Sequence, residues 1–230
     1  MGIFEIIKDF DSQLLLYING NHSTLWDYVM FTYTYKLTWV VFYAILFYHL
    51  YKFYGKKILL IIPMIALTIL VTDQMCNLIK YSVARPRPGH DPVIGSLVNI
   101  FYKKGGRFGF VSAHAANSFA LAILIYKYVK NKTFLYYMSL WAMIVGFSRI
   151  YLGVHYPGDV LCGSILGIGI GFLMYRLSIY LEKYVPMTGS QSLEKSRMSN
   201  HQLNGVFSSL RWMLGLPIFI VFCYVMKDLL

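Results

Sequence analysis

Two residues four apart, His155 and Asp159, frame the chemistry this sequence can do. On a helix that spacing makes neighbours. The carboxylate can then hold one imidazole nitrogen as N–H and leave the other with its lone pair. A histidine oriented in this way can attack phosphorus and carry the phosphoryl group as phosphohistidine. The same stretch reads Ser148-Arg149-x5-His155-x3-Asp159, so a fixed cation precedes the pair. Two further cations lie upstream in Lys80-x6-Arg87-Pro88, and Ser112-Ala113-His114 adds a hydroxyl, a backbone N–H at a helix start and a second histidine. Lys80, Arg87 and Arg149 can stabilise charge on the equatorial oxygens of a transferring phosphoryl group. Both arginines can bind in bidentate fashion, and a helix N-terminus is itself an anion site. His114 can protonate the leaving oxygen, an effect worth roughly 10²–10⁴ in rate.

These residues need elements that bring them together, and the composition says what kind. Of 230 residues 57% are hydrophobic and only 13% charged, against roughly 25% charged in soluble domains. A soluble globular protein is excluded on this balance, and 16 Phe, 20 Tyr and 4 Trp exclude disorder. Residues 3–16 place Ile3, Ile6, Ile7, Phe10, Leu14 and Leu15 on one helical face, with Glu5, Lys8, Asp9 and Asp11 elsewhere. That pattern predicts an amphipathic helix lying in the membrane interface. It ends in a turn at Asn19-Gly20-Asn21, and its charges argue against a signal peptide. Six apolar segments follow, at about 36–54, 57–80, 111–129, 133–152, 157–180 and 210–228, each near the ~20 residues of a membrane span. Trp39, Tyr51, Tyr54, Tyr126, Tyr136 and Tyr137 sit near segment ends, as interfacial aromatics do. Gly163, Gly167 and Gly171 form overlapping small-xxx-small motifs that predict close helix packing. Cys76, Cys162 and Cys223 read as isolated buried hydrophobes, and residues 186–204 as a polar linker. The joint between the second and third segments is about 30 residues, a length that is usually functional. With six spans, the joints after the second and fourth lie on one side. Lys80, Arg87, Ser112, His114, Arg149, His155 and Asp159 can therefore converge on one membrane face.

Taken in order, Lys80-x6-Arg87-Pro88, Ser112-Ala113-His114 and Ser148-Arg149-x5-His155-x3-Asp159 resemble the three signature motifs of the type 2 phosphatidic acid phosphatase superfamily, across roughly residues 60–175. The second motif departs from the usual Pro-Ser-Gly-His, with Ala113 in the glycine place. The resemblance implies an all-α fold, a six-transmembrane-helix bundle, with residues 1–230 forming a single membrane-embedded phosphatase domain. It implies a lipid phosphatase acting through a phosphohistidine, with no metal or other cofactor. His155, His114 and Asp159 are then the catalytic set, and Lys80, Arg87, Ser112, Ala113 and Arg149 bind phosphate. The expected substrate is a membrane lipid phosphate of the undecaprenyl pyrophosphate, lipid A or phosphatidylglycerophosphate type.

Other residues divide between bland and functional readings. Arg85 lies outside the matched pattern and is a possible substrate contact. Asp73, Asn77 and Lys80 share a helical face, and Asp73 reads as a structural polar contact ahead of a group that orients Lys80 or Arg149. Lys103, Lys104 and Arg107 either solvate the loop or meet anionic headgroups. His90 reads as a loop residue, His49 as packed or interfacial, and His22 and His201 as solvated. A transporter predicts charges at mid-membrane in several spans, and a non-catalytic lipid-binding protein has no need of the His155–Asp159 spacing. No soluble basic domain is present for nucleic acid. The motif face carries ten Lys+Arg and the opposite face eleven; without Lys80, Arg87 and Arg149 the balance is seven to eleven. The positive-inside rule then puts the site on the outer side of the cell membrane, periplasmic or external in a bacterium.

Overall fold

The computed structural model describes residues 2–184 and 192–227, which run through eight α-helices. These are α1 (Ile3–Gly20), α2 (Thr24–Thr34), α3 (Val40–Tyr54), α4 (Ile58–Val83), α5 (Ala113–Val129), α6 (Lys132–Tyr151), α7 (Pro157–Glu182) and α8 (Asn200–Lys227). Among the described residues no β-strand forms; one isolated bridge pairs Pro86 with Phe108. The starts and stops follow local chemistry. Ser23 Oγ accepts from Trp26 N–H at the start of α2, and Asn131 Oδ1 from Phe134 N–H at the start of α6. Pro157 opens α7, where its missing N–H has no helical partner to lose. Gly55, with a φ of 56°, separates α3 from α4, and Lys57 at that joint pairs with Glu182 at 2.5 Å.

Among the described residues, three stretches are long and apolar enough to cross a membrane: Leu37–Val83, Pro157–Glu182 and Asn200–Cys223. The outer surface agrees. Leu59, Leu70 and Leu78 on α4, and Leu161, Ile165 and Leu173 on α7, stand exposed, an apolar belt that water would not tolerate. α5 is the centre, buried on most of its circumference by Ala115, Ala116, Ala120, Leu124 and Ile125. Its most extensive partner is α7. A Cβ added at Gly163 or Gly171 would come within 2.6 Å of the Ser112 or Ala120 carbonyl oxygen, and one at Gly167 would collide with the Ala116 carbonyl. The small-residue stripe therefore lets two backbones touch, as the sequence predicted.

α1 divides its side chains. Ile3, Ile6, Ile7 and Phe10 are exposed, whereas Asp11, Leu15 and Asn19 are buried. Leu15 joins Ile94, Val98, Ile150 and Tyr156 in a small core beneath the long loop. Asn19 ties that loop down. Its Nδ2 donates to the Asn99 carbonyl at 2.8 Å and the Tyr151 carbonyl at 2.7 Å, and its Oδ1 accepts from Asn99 N–H at 2.8 Å.

Several expectations need correction. α2 was not expected, because its apolar pattern is short and adjoins a turn. α8 starts at Asn200, about ten residues before the predicted span. The predicted linker at 186–204 lies partly outside the described residues. Trp39 and Tyr54 are buried, the latter donating to the Tyr128 carbonyl at 2.6 Å; Tyr51 and Tyr136 are exposed. Cys76 is buried but Cys223 is exposed.

Candidate active site

The site is assembled from three chain segments. In the first, Arg85–Arg87 runs antiparallel to Arg107–Gly109: Arg87 N–H donates to the Arg107 carbonyl and Gly109 N–H to the Arg85 carbonyl, each at 2.9 Å. Extended backbone alternates its side chains, so Arg85 and Arg87 share a side. In the second, α6 ends in a turn whose Gly153 has a φ of 68°, and the Arg149 carbonyl accepts the N–H groups of Val154 and His155 at 3.1 and 3.2 Å. That turn delivers His155 directly beneath the helix end that carries Arg149. In the third, Tyr156 N–H donates to Asp159 Oδ2 at 3.2 Å, capping α7 with the carboxylate itself.

His155 is buried, 1% exposed, and both ring nitrogens have partners. Nδ1 lies 3.2 Å from Asp159 Oδ2, and Nε2 lies 3.2 Å from Arg87 Nη1. A guanidinium only donates, so Nε2 must accept and Nδ1 must carry the proton. This is the tautomer a nucleophilic Nε2 requires. Burial, then the charges of Arg87, Arg149 and Lys80, push the imidazole well below its ordinary range, with the Gly109 backbone pulling the other way. This direction agrees with the neutral tautomer that the two contacts require. Gly109 is tight because a Cβ there would sit 3.0 Å from Asp159 Oδ2 and 3.1 Å from Arg87 Cγ.

The cations are only partly engaged. Arg87 Nε donates to the Phe108 carbonyl and Nη1 to the Val154 carbonyl, each at 3.2 Å, which fixes the fork while leaving Nη2 free among the described residues. Arg149 Nη1 donates to Thr34 Oγ1 at 2.8 Å, and its buried Nε has no partner among the described residues. Ser112 donates its backbone N–H to the Asp159 carbonyl at 2.9 Å, while its fully buried hydroxyl is also without a partner there. Buried donors left unpaired cost about 1–3 kcal/mol each and call for a ligand. Lys80, half-buried in the last turn of α4, adds its charge to the field at His155. Ala113 and His114 open α5. Both line a cavity of about 470 Å³ with Thr34, Asp73 and Asn117, deepening to Phe47 and Leu121. From Ala113 to Leu121 is eight residues of helix, so the slot runs about 12 Å into the bundle.

Arg85, expected as a possible substrate contact, has another position. Its Nη1 donates to Asp159 Oδ1 at 3.0 Å and its Nη2 to Asp11 Oδ2 at 2.7 Å, with the guanidinium 3.8 Å above the Tyr156 ring. It bridges two carboxylates, so both ends of its fork are engaged. Asp73 accepts from Asn117 Nδ2 at 2.7 Å, a polar pair in the slot. His90 faces the Gly105 carbonyl at 3.2 Å, and Lys103, Lys104 and Arg107 are exposed. Asp11, Thr34 and Asn117 escaped the sequence reading. Asp11 was assigned to the polar face of α1, and Thr34 and Asn117 carry no motif of their own.

A model of the PAP2 superfamily matches residues 57–183, which enclose all three motifs. The chain belongs to the PAP2 superfamily. Among characterised relatives, a lipid A 4'-phosphatase of Bacteroides thetaiotaomicron is 40% identical over 196 residues, covering 81% of this chain and 87% of the relative. A second lipid A 4'-phosphatase, of Porphyromonas gingivalis, is 33% identical and covers 76% of each. The crystal structure of Aquifex aeolicus LpxE is similar with a TM-score of 0.57 at 24% identity, covering 71% of this chain and 93% of that one. The Bacillus subtilis PAP2-type phosphatidylglycerolphosphate phosphatase is similar with a TM-score of 0.58 at 22% identity, covering 80% and 89%. This PAP2 chain is a multi-pass membrane protein and a phosphatase, a hydrolase of lipid phosphate esters.

Proposed function

We propose that this PAP2 membrane phosphatase removes a phosphate from a lipid of the lipid A class, through a phosphohistidine on His155. The observation that carries the mechanism is the pairing of both His155 nitrogens, Nδ1 with Asp159 and Nε2 with Arg87. Arriving phosphate draws Arg87 to its oxygens and frees the Nε2 lone pair. The Nε2–P bond then forms as the P–O bond to the lipid breaks, and His114 gives its proton to the leaving oxygen. Water, deprotonated by His114, attacks phosphorus in the second step, breaks the P–N bond and releases inorganic phosphate. Lys80, Arg87 and Arg149, with the Ser112 hydroxyl and the Ala113 N–H, hold the equatorial oxygens. Their combined charge does the work a divalent ion does in metal phosphatases, so the reading includes no metal. The slot beneath His114 receives apolar lipid. The two lipid A 4'-phosphatases, matched over most of their length, support the substrate class.

The same reading takes residues 1–230 as a single domain with α3 to α8 as six spans. α1 lies in the interface, with Ile3, Ile6, Ile7 and Phe10 towards lipid. The seven-to-eleven balance of Lys+Arg places the site on the outer side of a bacterial inner membrane.

The test is phosphate release from purified protein in detergent with excess EDTA. The panel is lipid A, undecaprenyl pyrophosphate and phosphatidylglycerophosphate, offered to the wild type and to His155→Ala. Release led by lipid A and abolished in the variant supports the reading. Equal release from both proteins sinks the mechanism, loss with EDTA sinks the metal-free step, and a different leading substrate sinks the lipid A assignment. For orientation, single cysteines at positions 95 and 130 of a cysteine-free variant are labelled from outside intact cells. Labelling at 130 and not at 95 reverses the topology.

A further inference from the structure

We propose that Asp11 of the N-terminal helix is a positioning residue for the reaction, acting through Arg85 on Asp159; this rests on the mechanism proposed above. The carboxylate of Asp11 makes two contacts, one with each oxygen. Oδ2 accepts from Arg85 Nη2 at 2.7 Å, and Oδ1 accepts from Gly158 N–H at 2.7 Å. The second contact grips the first turn of α7 one residue before Asp159. The first contact holds the far side of the guanidinium whose near side holds Asp159 Oδ1 at 3.0 Å. From there Asp159 Oδ2 reaches His155 Nδ1 at 3.2 Å. An unbroken line of charge-assisted contacts thus runs from α1 to the nucleophile.

The arrangement solves a problem particular to this cleft. Asp159 is fully buried and needs a cation beside it. Arg85 supplies that cation two residues past the end of α4, a short distance in sequence from Arg87. Held by Asp159 alone, a guanidinium with a free fork would be drawn to an entering phosphate, and its departure would strand the carboxylate. Asp11 occupies that fork, and the Tyr156 ring covers the guanidinium face at 3.8 Å. Arg85 then serves Asp159 while Arg87 serves phosphate. Side-chain exposures of 10% for Asp11 and 22% for Arg85 keep water from competing strongly. The N-terminal helix is thereby part of the catalytic apparatus as well as a membrane contact.

Three variants test this. Asp11→Asn keeps the size and an oxygen for Gly158 N–H but removes the charge that holds Arg85. Its kcat is expected to fall on the order of tenfold or more, the loss of a charge-assisted contact, with KM changed less than about twofold. Asp11→Glu restores the charge and is expected to recover most of that loss. In an Arg85→Gln background, Asp11→Asn is expected to have little further effect on kcat, because the relay is already cut. Losses that multiply independently would overturn the proposal, as would a rise in KM with kcat intact, or Glu no better than Asn. If Arg85→Gln does not fold, the Asn-against-Glu comparison decides alone. If His155→Ala is as active as the wild type, the underlying mechanism has failed. If His155→Ala is inactive and Asp11→Asn is fully active, only the relay has failed.

Discussion

Asp159→Asn is the sharpest perturbation of the nucleophile, because the carboxylate faces three donors and the amide can satisfy only some of them. Oδ1 accepts from Arg85 Nη1 at 3.0 Å, and Oδ2 accepts from His155 Nδ1–H and Tyr156 N–H, each at 3.2 Å. An amide must aim its NH2 at one of these two positions. Aimed at Arg85, it opposes a guanidinium that cannot accept. Aimed at His155, it confronts the Tyr156 N–H and makes Nδ1 an acceptor, which moves the imidazole proton to Nε2 and removes the nucleophilic lone pair. Either way a hydrogen bond to a charged group is lost, worth about 1.5–3 kcal/mol. At ~1.36 kcal/mol per decade, this predicts a loss of about ten- to 150-fold in kcat. KM is expected to change less than about threefold, since the proposed mechanism gives phosphate binding to Arg87 and Arg149. The assay is phosphate release in detergent, paired with a melting curve to show that the variant is folded. A folded variant with kcat within about threefold of the wild type would refute the claim that Asp159 orients His155.

Further outcomes follow from the same contacts. Because burial and the charges of Arg87, Arg149 and Lys80 depress the His155 pKa, and the proposed nucleophile must be neutral, the contribution of His155 is lost as pH falls through that lowered value. The acid limb of kcat/KM assigned to His155 by the variant is expected below the ordinary ~6.5, and a limb above it would contradict the depression. Gly167→Val forces a branched side chain against the Ala116 carbonyl, and overpacking of about 1–3 kcal/mol is expected as a lower melting temperature in detergent. An unchanged melting curve would show that α5 and α7 are less closely packed. Asn19→Ala removes two hydrogen bonds that tie the long loop to α1 at Asn99, and a third to the Tyr151 carbonyl at the end of α6. At about 0.5–1.5 kcal/mol each, faster proteolysis within residues 91–107 is expected, and an unaltered cleavage rate would count against that anchor.

Much of the site was legible in the sequence because its key spacings are local. His155 and Asp159 belong to one helix start, Ser112 to His114 to another, and the Gly163–Gly167–Gly171 stripe is periodic along α7. What escaped was joined through space. Asp11 meets Arg85 across 74 residues and Gly158 across 147, Thr34 meets Arg149 across 115, and Asp73 meets Asn117 across 44. No periodicity records such pairs. Arg85 and Arg87, two residues apart, look alike in sequence, and only the contacts of Arg85 with the buried carboxylates of Asp11 and Asp159 set their surroundings apart. The aromatics at the two ends of α3 show the same limit, since Trp39 and Tyr54 stand at segment ends yet pack into the core.

The central claim is that phosphate passes through His155, and trapping the intermediate tests it most directly. Wild-type protein is mixed with a lipid carrying radiolabelled phosphate, quenched in alkali within the first turnover and mapped by proteolysis. The account predicts an acid-labile, alkali-stable label on the peptide containing His155, absent from His155→Ala and chased away by unlabelled substrate. Label on any other residue, or steady turnover with no label at any quench time, would contradict it.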